Sequence, residues 1–319
     1  MAVCCAVVVS AGCGRTASTT PGERSAGRPP KVSPVKLPIG GAPIGLLSYD
    51  GRLWVADAHR NEVLRVDPRS GKVTARVPVG STPLRLAALG GRVWASNWGG
   101  RTISGVSPAR GGRVATVRVG PEPEGITRFG PDLWVVSESS GDLVGVLSHS
   151  QRAAVRIHVG DQPRQVAVAG RDLWVSVFGD NAVAEVDPRT QTVTARVKAC
   201  LGPQGLSYSD GALWVACTTA GQLAEIDPKS GHVVRHILYA AADAVTRGGS
   251  SLLVTSDEGP SMAVLDPRTG KLSHKLQLSQ GFISDANADI ALTDGYIWVS
   301  SPDEGVLYRV PAPPLAASG

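Results

Sequence analysis

The sequence is poor in the residues that build helical cores and imidazole chemistry. Its 319 residues include 2 Met, 3 Phe, 5 Tyr and 6 His, and 18% are charged. No apolar pattern keeps a helical period over a useful length, which points away from helical architectures. The apolar stretch Ala2–Val9 is too short to span a bilayer. There is no phosphate-cradling glycine loop and no nucleophile elbow. Of the histidines, His158, His236 and His274 fall on expected outer strands, His232 beside a turn and His149 in a turn of the far face. Only His59 reaches the expected ligand face, and a metal or acid–base site made of imidazoles needs at least one companion. A basic surface is missing too. Of the net charge of +5, Arg15, Arg24, Arg28, Lys31 and Lys36 against Glu23 supply +4 within residues 14–36, leaving +1 elsewhere. That distribution suits a tether beside anionic lipid headgroups and gives no reason to expect nucleic acid.

What is present is a ruler. Trp54, Trp94, Trp134, Trp174 and Trp214 lie forty residues apart, and Trp298 follows after a skipped beat held by Leu253. Between them, short β-branched runs alternate with Gly, Pro, Asp and Asn turns, giving four strands per unit. Such a period is that of a propeller blade. The first blade is expected to run through Ile44–Ser48, Leu53–Ala56, Val63–Val66 and Val73–Val79. The seventh ends after Val306–Val310 with no fourth strand. Its missing strand is expected at the other end, because Val35–Pro43 matches Ala75–Pro83 position by position. Pairing residue 36 with residue 308 closes an all-β, seven-bladed propeller of antiparallel strands and removes the open edge. The repeated Trp then packs between blades. The expected organisation is a signal segment at 1–13, a basic Ser/Pro/Gly-rich tether at 14–32, the propeller at 33–311 and a tail at 312–319.

The repeat wording, from Asp67-Pro68-Arg69-Ser70-Gly71 through Gly80 to Val93-Trp94-Ala95-Ser96-Asn97, resembles the YVTN-type and NHL-like bacterial propellers over residues 33–310. Its Leu-Trp-Val variant is also similar to virginiamycin B (streptogramin) lyase. That resemblance implies a seven-bladed propeller and a metal-assisted C–O lyase using histidine and glutamate on the funnel face. The late blades here offer Asp257, Glu258, Asp303 and Glu304, without a histidine.

Ser10-Ala11-Gly12-Cys13 after the apolar stretch resembles the end of a bacterial lipoprotein signal peptide, which implies lipidation of Cys13 and an address in the cell envelope. A plain secretory signal and an inert apolar tail are the alternatives. Cys200 and Cys217 then remain, in neighbouring loops of one face. A disulfide is expected outside the cytoplasm, with two buried thiols as the alternative.

Ligands of propellers are expected on the face of the D-to-A and B-to-C loops, A to D being the strands of a blade in order. There the sequence places Asp57, His59, Trp98, Glu138 and Phe178 after the second strands, and Arg85, Glu124, Arg164, Gln165 and Gln204 beside the repeated prolines. Trp98 and Phe178 are expected to line an aromatic recess. Asp257, Glu258, Asp303 and Glu304, with Asp285 and Asp289 nearby, are the candidate set for a hard divalent cation; otherwise no cofactor is expected. A longer loop at 279–289 is expected to overhang the mouth. The leading reading is a monomeric, non-catalytic, lipid-anchored module that binds a small ligand, glycan or envelope protein. A lyase or hydrolase with a divergent carboxylate site and a pure docking scaffold are the other two.

Overall fold

The computed structural model describes residues 33–108, 112, 114–279 and 288–313. From residue 33 onward the described residues belong to one folded unit. Among the described residues 28 strands form seven four-stranded antiparallel sheets, with one short 3-10 turn at Trp98–Gly100. The innermost strands are Pro43–Tyr49, Pro83–Leu89, Pro123–Phe129, Pro163–Ala169, Pro203–Ser209, Ala242–Gly248 and Ile290–Thr293. Each touches the inner strand of the next blade, and the last touches the first, so the ring is closed.

Closure follows the expected register. Val35–Pro38 pairs antiparallel with the last strand, Val306–Pro311, and Lys36 stands opposite Tyr308. The backbone amides of Ile39 and Gly40 donate to Gly305 O at 3.1 and 2.9 Å. Glu304 locks the seam, accepting from Lys36 Nζ at 2.8 Å, Tyr308 Oη at 2.5 Å, and Ser279 and Ser301 at 3.0 Å each. Burial alone would raise the Glu304 pKa, but these four donors outweigh it and hold the carboxyl at about 2.

The core lies between blades. Trp174 of the fourth blade packs with Leu213, Val215 and Cys217 of the fifth, and Trp298 of the seventh packs with Leu53 and Val55 of the first. All six repeated indoles are at most 5% exposed. Leu253 fills the skipped place, packed with Ile297 and Val299. Opposite Trp94 stands Gly105, where a Cβ would lie 2.8 Å from the indole, so the large ring takes the space that a side chain would need.

Candidate functional site at the channel mouth

A repeated bulge builds the site. In six blades the pairing of the first two strands shifts register directly after the opening residue, as between Pro43 and Leu46 or Pro123 and Ile126. Two residues per blade thereby leave the ladder, a common device beside functional sites. Proline suits the opening place because a first strand residue can forgo its amide. The freed pairs are Ile44-Gly45, Leu84-Arg85, Glu124-Gly125, Arg164-Gln165, Gln204-Gly205 and Asp243-Ala244. Blades approach closely here: a Cβ on Gly45 would stand 2.1 Å from Leu84 O, and one on Gly125 2.5 Å from Arg164 O.

A second circle of residues follows the second strands. Ala58, Trp98, Glu138, Phe178, Thr218 and Asp257 each donate a backbone amide to the loop that enters their blade, at 2.9 to 3.0 Å. These bonds hold the two kinds of loop together on one face.

Side chains from different blades meet across these circles. Arg164 reaches Glu124 at 3.2 Å and Glu138 at 3.0 Å, and its guanidinium lies 5.2 Å from the centre of the Phe178 ring. The Trp98 indole donates to Glu138 at 3.1 Å. Gln204 Nε2 reaches Glu124 Oε1 at 3.5 Å, from two blades away. On the other side, Arg85 pairs with Asp289 at 3.6 Å, and Asp289 accepts the backbone amides of Leu46 and Ile290 at 2.9 and 2.8 Å. Asp243 and Asp257 of the sixth blade complete the belt.

Acids outnumber bases in this belt: Glu124, Glu138, Asp243, Asp257 and Asp289 face Arg85 and Arg164. Desolvation of the charged form therefore dominates. Burial pushes Glu124 up to about 7, although Arg164 and Arg85 oppose it. Burial pushes Asp257 up to about 6, against a hydrogen bond with Asp243 and the charge of Arg85. Asp243 is raised well above the carboxylate range, by burial first and the charge of Asp257 second. Burial also raises Asp289 despite Arg85 and its two amide donors. For Arg85 burial works downward, and the surrounding Asp289, Asp243, Glu124 and Asp257 outweigh it.

The structure thus brings Trp98, Phe178, Arg85, Glu124, Arg164, Gln204 and Glu138 to one belt. Asp57 does not join them. It is wholly buried and accepts the amides of Ala42 and Arg60 at 3.0 and 3.1 Å, so it staples its own loop. His59 is exposed beside it. The carboxylate set Asp257, Glu258, Asp303 and Glu304 does not form a metal cluster either: among the described residues no three His, Cys, Asp or Glu side chains converge on an ion. Asp257 faces Asp243, whereas Glu304 is spent on ring closure. Glu258 lines a recess of about 650 Å³ on the loop face with Thr218, Thr219, Tyr239 and Ser256. Asp303 is exposed. Asp285, Cys13 and most of the 279–289 loop lie outside the described residues. Cys200 and Cys217 form a disulfide, Cα to Cα 6.0 Å. A cleft of about 710 Å³ lies on the opposite face among Asp210, Glu225, Arg235 and Asp266, away from the belt.

Sequence reasoning missed Asp243. Its blade opens with Ala242 where five others have proline, and the Trp214-to-Leu253 step is 39 instead of forty. Counting back from Leu253 recovers it.

The fold and belt define the class: a seven-bladed β-propeller with a polar, acid-rich channel mouth. No family model and no curated protein match the chain. Solved structures do. It is similar to a catalytically inactive virginiamycin B lyase from Staphylococcus aureus bound to quinupristin, with a TM-score of 0.75, 15% identity, and coverage of 89% of this chain and 100% of that one. It is similar to a streptogramin B lyase at 0.74, with 18% identity over 88% and 97%. Hydrazine synthase from Kuenenia stuttgartiensis matches at 0.71, with 17% identity over 91% and 99%. The fold is therefore that of a streptogramin-lyase-like propeller.

Proposed function

We propose that this protein is an extracytoplasmic, lipid-anchored binding module that takes a small polar ligand at the mouth of its channel without transforming it. The observation that carries this reading is the Trp98–Glu138–Arg164–Glu124–Gln204 network beside Phe178. Aromatic faces and oriented polar groups on a rigid scaffold are what small-molecule sites are made of. The disulfide supports an oxidising compartment, and the Ser10–Cys13 wording supports the anchor. A lyase reading is favoured by the shared fold alone. The inactive form of the staphylococcal lyase has alanine in place of a histidine, whereas here only His59 stands near the mouth.

The test is a thermal-shift screen of the protein from residue 14 onward with small polar molecules, glycans, cell-wall fragments and macrolactone antibiotics, run beside Arg164→Ala. The reading expects at least one compound that stabilises the native protein, fails to stabilise the variant, and is recovered chemically unchanged. Turnover of a macrolactone, or hits indifferent to Arg164, would overturn it.

A further inference from the structure

Blades three and six carry carboxylates at the same two places. Glu124 and Asp243 are the first bulge residues of their inner strands, one after Pro123 and Ala242, which pair with Ser137 and Ser256. Glu138 and Asp257 follow the second strands, each fixed by the same amide bond, to Glu122 O at 3.0 Å and to Ala241 O at 2.9 Å. In blade three the pair is answered by a guanidinium, because Arg164 of the next blade touches both acids.

The blade after Asp243 has no such group at that place. Two serines set the register. Ser176 Oγ accepts the amide of Gln165 at 3.0 Å and donates to Gln204 O at 2.7 Å. Ser300 Oγ accepts the amide of Asp289 at 2.8 Å and donates to Ile44 O at 2.7 Å. Asp289 therefore matches Gln165, and Ala288 stands where Arg164 stands. Asp243 is wholly buried and Asp257 is 7% exposed. Among the described residues no protein group donates to any of their four carboxyl oxygens, apart from a proton held by the pair itself. Buried acids left this way carry a large desolvation cost unless a cation or a proton meets them.

We propose that the Asp243–Asp257 pair binds a guanidinium group of the ligand, in the place that the Arg164 side chain fills in blade three. This rests on the reading of the channel mouth as a ligand site and names the chemistry that it recognises. A planar guanidinium donates to two carboxylates at once. Calcium needs six to eight oxygens, and among the described residues no trio of acids converges here. The charged groups that act on Asp243 from the rest of the belt are Arg85, Asp289 and Glu124. The cation among them, Arg85, is paired with Asp289. Without a ligand cation the pair keeps a proton, since burial raises both carboxyls. Guanidinium binding, which stabilises the ionised pair, therefore releases protons.

The test is calorimetry and thermal shift with methylguanidinium, with butylammonium, tetramethylammonium and calcium as comparison probes, in two buffers of different protonation enthalpy. Methylguanidinium is expected to raise the melting temperature and release protons, and to bind at least about tenfold more weakly to Asp243→Asn and Asp257→Asn. Ala288→Arg supplies the guanidinium from the chain. It is expected to melt higher than the native protein and to lose the methylguanidinium response. The inference is overturned if methylguanidinium does not bind, if binding survives in both asparagine variants, if butylammonium or calcium binds equally well, or if Ala288→Arg melts lower with the response intact. A ligand from the screen that needs Arg164 but not Asp243 would remove this inference and leave the binding-module reading standing.

Discussion

At the scale of single residues, the same side-chain type does opposite work according to what surrounds it. Glu304 meets four donors and stays ionised to about pH 2, whereas Glu124 is buried with too little positive charge and titrates near 7. The linkage signs differ accordingly. Folded Glu124 holds its proton more tightly than the unfolded chain does, so its ionisation costs stability as pH rises from about 4.5 to about 7. Melting of the native protein should fall through that window, and Glu124→Gln should remove part of the slope. Glu304 is depressed, so its stabilisation is full above about 4.5 and is lost as pH falls toward 2. Glu304→Gln should lower the melting temperature at pH 7 and leave it nearly unchanged at pH 2. The repeated indoles are by comparison buried packing groups, at most 5% exposed, and those of Trp54 and Trp94 also donate to the carbonyls of Tyr49 and Leu89. Trp174→Ala should cost about 3–5 kcal/mol, readable as a shift in denaturant midpoint. An unchanged midpoint would contradict the inter-blade core.

At the scale of elements, the bulge at the head of six of the seven inner strands is what turns a repeat into a site. Most of the belt was legible because it follows from counting: Arg164, Glu124 and Gln204 sit after repeated prolines, and Trp98, Glu138 and Phe178 sit at a fixed place after the second strands. What was not legible depends on contacts that a count does not contain. Asp57 looks like a loop acid, yet its carboxyl is captured by the amides of Ala42 and Arg60. Glu304 looks like a partner for Asp257, yet Lys36, more than 260 residues away, claims it. Asp243 was hidden by a lost proline and a period shortened by one. The Cys200–Cys217 bridge, with a sequence separation of 17, ties one such loop to a second strand. Its removal by Cys200→Ser with Cys217→Ser should cost about 3 kcal/mol on chain-entropy grounds. Equal melting of the oxidised and reduced protein would contradict that contribution.

At the scale of the whole molecule, seven blades are held by a ring that the chain's beginning and end close together. The joint is short, four residue pairs from Val35 to Pro38, and its side-chain lock is Glu304. Deleting residues 33–40 should expose the last blade's edge, lower the melting temperature and make the protein prone to association, as size-exclusion chromatography would report. The same closure gathers acids from the third, sixth and seventh blades around one channel, an arrangement that no single blade contains. A carboxyl-carbon NMR titration tests this gathering most directly. The account predicts Glu124 titrating near 7, Asp257 near 6, Asp243 well above the usual carboxylate range and Glu304 near 2. Carboxyls that all titrate close to their ordinary value of about 4 would contradict the buried belt and, with it, the site.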